Sequence, residues 1–115
     1  MLKIIVLILL NSLLFSLSVK EQKIEMRKMN NVFISQGNPT RIFRYDIIQK
    51  TKTFDYGFEV EFTKAGNLQA VITDLCSKKI TREAIENGWT YKMLYRNKFS
   101  KKTVATLSVD KYNCR

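Results

Sequence analysis

The chain contains no histidine among its 115 residues. That absence removes imidazole acid–base catalysis and histidine metal ligation together. Cysteine is nearly as scarce: Cys76 and Cys114 are the only two. Two thiolates alone cannot build a tetrahedral zinc site, and these two are not spaced as a CxxC redox pair. The four glycines, Gly37, Gly57, Gly66 and Gly88, stand isolated, so no glycine-rich loop is available to cradle a phosphate. No run of like charge is long enough to act as a tail. The chain is read with no cofactor and no metal, and as non-enzymatic.

What the chain does have begins at its N-terminus. Lys3 is followed by unbroken hydrocarbon from Ile4 to Leu10, and the apolar run resumes at Leu13, Leu14 and Phe15 after Asn11 and Ser12. Ser16 and Ser18 then place small residues three and one positions before a cut between Ser18 and Val19. A basic residue, a short apolar core and small residues at the cut describe a signal peptide over residues 1–18. The competing reading is an uncleaved anchor. A spanning helix needs about 20 apolar residues, and this run is shorter and interrupted, so cleavage is expected. The mature chain is then a single small domain, residues 19–115, with no membrane span of its own, in the periplasm or outside the cell.

A domain of that size has a thin core, which a covalent cross-link would help. In an exported protein an even cysteine number reads first as a disulfide. The alternative is two free thiols or a redox pair, for which the sequence shows no obvious basic or histidine partner.

Lys and Arg number 20 against 10 Asp and Glu; losing Lys3 with the leader leaves 19 against 10, a net of +9. Such a surface attracts anionic partners. The charges are scattered, however, over Arg41/Arg44, Lys50/Lys52, Lys78/Lys79/Arg82 and Lys98/Lys101/Lys102. A generally solvated basic surface is the plainer reading.

Patterning supplies a coarse map. A short helix is expected over residues 20–30, although Ile24, Met26, Met29, Val32 and Phe33 hold no clean helical face. Ser35 to Pro39 is a turn. Phe43, Tyr45 and Ile47 alternate with Arg44 and Asp46, the pattern of a half-buried strand. In a second strand Tyr56, Phe58, Val60 and Phe62 share one face and Glu59 and Glu61 the other. Asn67 is placed to cap a helix whose apolar stripe is Leu68, Val71, Ile72 and Leu75, with Cys76 beside it. Ser77 to Lys79 interrupts that helix. Thr81 is placed to cap a further turn, which Gly88 ends in the left-handed conformation. Trp89, Tyr91, Met93 and Tyr95 alternate through a third strand, and Val104, Thr106 and Ser108 through a fourth, joined at Asn97–Lys101. The fold class is α+β: an antiparallel sheet of about four strands, one main helix on one face, one disulfide.

Two constellations invite chemistry. Glu59 and Glu61 sit about 7 Å apart on one strand face, a separation used by glycosidases; the plainer reading is a solvated face balanced by lysines. Trp89, Tyr91, Tyr95, Phe99 and Tyr112, interleaved with Lys92, Arg96, Lys98 and Lys101, match a stacking platform for single-stranded nucleic acid. Aromatics at strand spacing are more often core, and an exported protein rarely meets such a ligand. Nucleic acid is disfavoured. Arg82 is expected to pair with Asp74 or Glu86.

The series Cys76, Arg82, Ile85, Gly88, Tyr91, Tyr95 and Cys114 resembles a pattern in small exported proteins of Gram-negative bacteria. There a cysteine follows an amphipathic helix, then come an Arg, a Gly, a Tyr-rich strand and hairpin, and a closing cysteine. The aromatic strand from Tyr56 to Phe62 also fits. Two departures are plain: the turn Asn97-Lys98-Phe99-Ser100 lacks a glycine, and Tyr91 and Tyr95 are four apart rather than two. The resemblance implies export, the disulfide and the α+β fold, and no activity. The reading that results is an exported, non-catalytic interaction module. Its partner is an acidic protein or an anionic envelope component. The contacts fall on Lys98, Lys101, Lys102, Lys92 and Arg96. A small secreted inhibitor, immunity or virulence-associated protein is the alternative.

Overall fold

A computed structural model describes residues 18–64 and 66–114. The expected signal sequence lies outside them except for Ser18. That serine opens the first helix, α1 (Val19–Ser35), through a capping box: its Oγ accepts from the Glu21 N–H at 3.1 Å, and the Glu21 carboxylate accepts from the Ser18 N–H. Two of the helix's orphan donors are thereby satisfied. The helix is longer than the stretch of residues 20–30 expected. Its inward stripe runs Gln22, Met26, Met29/Asn30 and Phe33, none of it fully buried. Two polar residues sit within that stripe, which is why apolar periodicity under-reads it.

Strands β1 (Arg41–Ile48) and β2 (Thr53–Val60) pair antiparallel across a short 3-10 turn, Gln49–Thr51. Helices α2 (Gln69–Ser77) and α3 (Lys79–Glu86) follow, then β3 (Thr90–Asn97) and β4 (Thr103–Val109), which form an antiparallel hairpin. The sheet order is β1-β2-β3-β4. The α+β class, the four strands and the disulfide agree with expectation.

Two expectations need refinement. The layer on the sheet has three helices, not one main helix. The sheet is mostly antiparallel, as expected, in β1–β2 and β3–β4, but β2 and β3 run parallel, Phe54 opposite Tyr91 and Phe58 opposite Tyr95. The α2–α3 crossover returns the chain to the end where β2 began, and parallel neighbours require such a connection.

Local chemistry sets the helix ends. The Asn67 Oδ1 accepts from the Gln69 N–H at 2.9 Å at the start of α2. Lys78, extended at φ −77° and ψ 131°, breaks α2 from α3. Lys78 is also the N-cap of α3; the expected cap, Thr81, instead donates its hydroxyl to the Leu75 and Lys78 carbonyls. Gly88, at φ +92°, closes α3: its N–H donates to Ile85 O and the Trp89 N–H to Ala84 O, each at 3.0 Å. This paired arrangement favours glycine because only glycine takes that backbone without cost.

All three helices lie on one side of the sheet. Ile85 and Val109, each 0 % exposed, pack with Tyr91 and Met93; Val71, Ile72, Leu75 and Leu107 close around them. Cys76 and Cys114 bond with their Cα atoms 5.3 Å apart, tying the end of α2 to the turn after β4. An aromatic ladder runs through the same layer: Tyr45 on Tyr56, Tyr56 on Phe58 and Tyr91, Phe54 between Trp89 and Tyr91, Phe58 on Tyr95. Phe33 of α1 meets Phe58 edge-on at 6.5 Å between centroids.

Burial raises the phenol pKa throughout this ladder, to about 12 at Tyr45 and Tyr91, far above the ordinary range at Tyr56, and upward at Tyr95. The Glu25 carboxylate adds to the effect at Tyr45. The folded state therefore holds these protons more tightly than the unfolded chain does. Their contribution to stability is complete below the unfolded value of about 10 and is lost as pH rises through the folded values. Alkaline unfolding is expected between about pH 10 and 12, with the ultraviolet phenolate signal rising together with loss of the fold. Phenolate formation by these tyrosines before unfolding would contradict their packing.

Candidate binding face

With the helices on one side, the opposite face of the sheet is uncovered among the described residues. The strand registers bring the odd-numbered side chains of β2 onto it: Asp55 opposite Lys92, Gly57 opposite Leu94, Glu59 opposite Arg96. From β4 come Ser108, opposite Lys92, and Thr106, opposite Leu94.

Strand β1 departs from its expected alternation. A bulge between Ile42 and Arg44 leaves Ile42 opposite Phe58 but Arg44 opposite Gly57. The extra residue turns both Phe43 and Arg44 to the open face. Phe43 was expected beside Tyr45 and Ile47 on the buried face. Its ring instead lies across Gly57, where an added Cβ would stand 2.7 Å from the ring and 2.9 Å from the Arg44 Cβ. Glycine is required there by the close approach of a neighbouring side chain.

The Arg96 guanidinium sits 3.5 Å from the Phe43 ring centroid, a cation–π contact. Glu59, 17 % exposed, holds that guanidinium in place: Arg96 Nη2 donates to Glu59 Oε2 at 2.9 Å, and Lys101 Nζ donates to the same oxygen at 2.6 Å. Lys101 reaches it from a left-handed backbone, φ +61°. Further along, Arg44 pairs with Asp55 at 3.1 Å, while Lys92 is exposed and makes no ion pair among the described residues. Asp46 is turned to the rim, where Gln22 donates to it at 3.4 Å. An open depression of about 300 Å³ lies between Arg44, Asp55, Lys92, Leu94, Thr106 and Ser108.

The sequence therefore placed three of its five candidate cations on one face: Lys92, Arg96 and Lys101. Lys98, Lys101 and Lys102 all lie in the β3–β4 turn, and of these Lys101 reaches back to Glu59. That turn is organised by Asn97, only 5 % exposed. Its Oδ1 accepts from the Phe99 and Ser100 N–H groups, and its Nδ2 donates to the Glu61 and Phe62 carbonyls. Four side-chain bonds from one asparagine replace the turn glycine. Phe43, Gly57 and Asn97 were not singled out as site residues from sequence, and Glu59 was considered only as half of a carboxylate pair with Glu61. The signal available was Gly57, an isolated glycine in the middle of a strand.

Glu59 and Glu61 do not make a catalytic pair. Glu61 lies beyond the end of β2 and Glu59 is engaged with two cations. Arg82 pairs with Glu86 at 3.0 Å on the exposed side of α3, and Asp74 pairs with Lys78.

The hydrogen bond from Lys101 holds the Glu59 carboxyl below the usual carboxylate range; burial opposes it, and the hydrogen bond and charge of Arg96 add to the lowering. The folded state thus binds this proton less tightly than the unfolded chain. The stabilisation is present above the unfolded value, about pH 4.3, and is lost as pH falls through the lower folded value. Glu59→Gln is expected to lower thermal stability at neutral pH. The difference from wild type should shrink toward zero in acid, measured as melting temperature against pH. A constant gap down to strong acid would place the loss elsewhere.

No helix among the described residues is long and apolar enough to cross a membrane, and none of their His, Cys, Asp and Glu side chains cluster as a metal site. Neither a protein-family model nor a curated protein sequence matches the chain. Solved structures do. The type II secretion system pilotin of Vibrio cholerae is similar at 22 % identity and TM-score 0.52, over 81 % of this chain and 94 % of that one. The type 2 secretion system pilotin of Vibrio vulnificus is similar at 13 % identity and TM-score 0.55, over 82 % and 91 %. A Pseudomonas aeruginosa protein inferred to be secreted matches at 16 % identity and TM-score 0.53, over 86 % and 99 %. At these identities the shared property is the fold, spanning nearly the whole of each neighbour.

Proposed function

We propose that this chain is an exported, non-catalytic interaction module whose uncovered sheet face binds an acidic protein surface. The observation that carries the reading is the convergence of Arg44, Lys92, Arg96 and Lys101 on that face, against Asp55 and Glu59. Arg96 is held over Phe43 by Glu59 and needs little ordering to meet a carboxylate. Lys92, beside Leu94 and the small Thr106 and Ser108, adds an exposed charge next to an apolar floor. That combination suits a protein partner, in which a desolvated centre is ringed by polar contacts.

Export rests on the leader over residues 1–18 and on the disulfide, and the domain so exported spans residues 19–115 in the periplasm or outside the cell. The pilotin likeness supports the same reading, since components of a secretion system carry this fold. An anionic envelope surface is the rival partner. The aromatics that would stack on nucleic acid bases do not share the cationic face. Tyr91 is 6 % exposed in the helix-side core, and Trp89 stacks on Phe54. Phe99 and Tyr112 are exposed but lie in the turns at either end of β4.

Capture from periplasmic extract tests the reading. Wild-type protein is expected to retain one partner stoichiometrically at high salt, where screening removes loose polyanion binding. The double charge reversal Arg44→Glu and Lys92→Glu should weaken that capture at least about tenfold, and reversing Lys28 and Lys79, exposed on the helical side, much less. Equal loss from both variants, or none from the first, would remove the sheet face from consideration. Binding that disappears at high salt would favour the envelope surface.

A further inference from the structure

The two edges of the sheet are finished differently. A sheet edge exposes a row of unpaired N–H and C=O groups that another chain can complete. At β1 that row is answered from within at Ile42. The Asn30 side chain of α1 donates through Nδ2 to the Ile42 carbonyl at 3.2 Å and accepts the Ile42 N–H on Oδ1 at 2.8 Å. One carboxamide thus makes both bonds that an adjacent strand residue would make, and the helix above it covers the edge.

At β4 nothing comparable is present among the described residues. Thr103 to Val109 contains no Lys, Arg, Asp, Glu or Pro, the residues that ordinarily blunt an edge. Its single register shift is opposite Tyr95/Arg96, at the start of the strand. The segment after it leaves for the helical layer, where Cys114 meets Cys76.

We infer that the β4 edge is a strand-addition site for an extended, carboxylate-bearing segment of a partner protein. This rests on the acidic-partner reading above and adds the conformation of the partner and the strand it pairs with. Charge selects the occupant. Lys101 and Lys102 precede the strand, Lys111 follows it, and Lys92 stands opposite Ser108 one strand in. A second copy pairing antiparallel along β4 would set Lys101 and Lys102 of one copy near Lys111 of the other, between domains of net charge +9 each once Lys3 is lost with the leader. A segment with carboxylates meets the same lysines favourably.

The faces of β4 specify its pattern. Successive side chains of an added strand alternate between faces. On the open side they lie beside Thr106 and Ser108, small enough to let a carboxylate reach toward Lys92. On the helix side they lie beside Ala105 and Leu107, which favour an apolar residue. The matching segment alternates acidic and apolar residues, bound by main-chain pairing with side-chain specificity.

The test uses a short synthetic peptide of alternating glutamate and valine, and the same peptide N-methylated throughout, which keeps its charge but donates no backbone hydrogen bond. With the intact protein, the unmethylated peptide is expected to bind at least about tenfold tighter, the equivalent of one or two backbone hydrogen bonds. It should also slow hydrogen exchange at the outward amides of β4. Equal binding of both peptides with β4 exchange unchanged overturns strand addition and leaves the basic-face reading standing. Binding of neither peptide at low salt overturns both. Outward β4 amides already protected in the free protein would mean that a second copy or residues 1–17 occupy the edge, which also overturns the inference.

Discussion

Replacing Cys76 and Cys114 by serine is expected to cost about 4 kcal/mol of folding stability, the chain-entropy value for a closed loop of this length. The bond spans 38 residues of sequence, so breaking it frees the path from α2 through α3, β3 and β4 in the unfolded chain. It also detaches the last turn from the helical layer. For a domain this small the loss is a large share of total stability, and a fall in melting temperature of at least about 10 °C should follow. Mass spectrometry under non-reducing conditions should find the wild-type chain two hydrogens light. Free thiols at both positions, or an unchanged melting temperature, would remove the cross-link from the account.

Ile85→Ala is the second large effect. Ile85 is 0 % exposed and is the single fully buried residue of α3. Truncating it leaves a cavity walled by Tyr91, Met93 and Val109, and such deletions cost about 2–5 kcal/mol. The helix is held to the sheet mainly by this side chain, so hydrogen exchange should accelerate through Lys79–Glu86 ahead of the strands. Ile80→Ala on the same helix, at a residue 67 % exposed, should change stability by less than about 0.5 kcal/mol. Equal effects at the two positions would contradict the packing. Since Cys76 borders the same cluster, the disulfide and Ile85 losses should not add simply.

Much of this fold was legible because local periodicity reports which face a residue occupies. Tyr56 and Phe58, the stripe from Val71 to Leu75, and the alternation from Tyr91 to Tyr95 all take the side expected of them. Direction is a different matter. Alternation reads the same in parallel and antiparallel strands, and the helix read between β2 and β3 implies parallel pairing only once those strands are known to be neighbours. Helix α1 was under-read because its inward stripe spends Gln22 and Asn30 on hydrogen bonds to β1 and its rim, polar contacts that apolar periodicity does not count.

The site was legible in part for a related reason. Lys92, Arg96 and Lys101 could be nominated as basic residues on or beside one strand. The feature that shapes their surface is the bulge at Phe43, a one-residue slip that reverses the face of an aromatic side chain. No pattern of hydrophobicity signals such a slip, although Gly57 marks where the displaced ring must lie. Glu59, read as a solvated carboxylate, turns out to fix Arg96 and Lys101, which depends on the register between β2 and β3.

Site-specific photo-crosslinking in the exporting cell tests the central claim most directly, because it asks which face a partner touches. A photoreactive side chain placed at Leu94, Thr106 or Lys92 is expected to capture a single protein adduct, whereas placement at Val32 or Ile80 on the helical side should capture none. Adducts confined to Val32 and Ile80 would show that the helical layer, not the uncovered sheet, is the working surface.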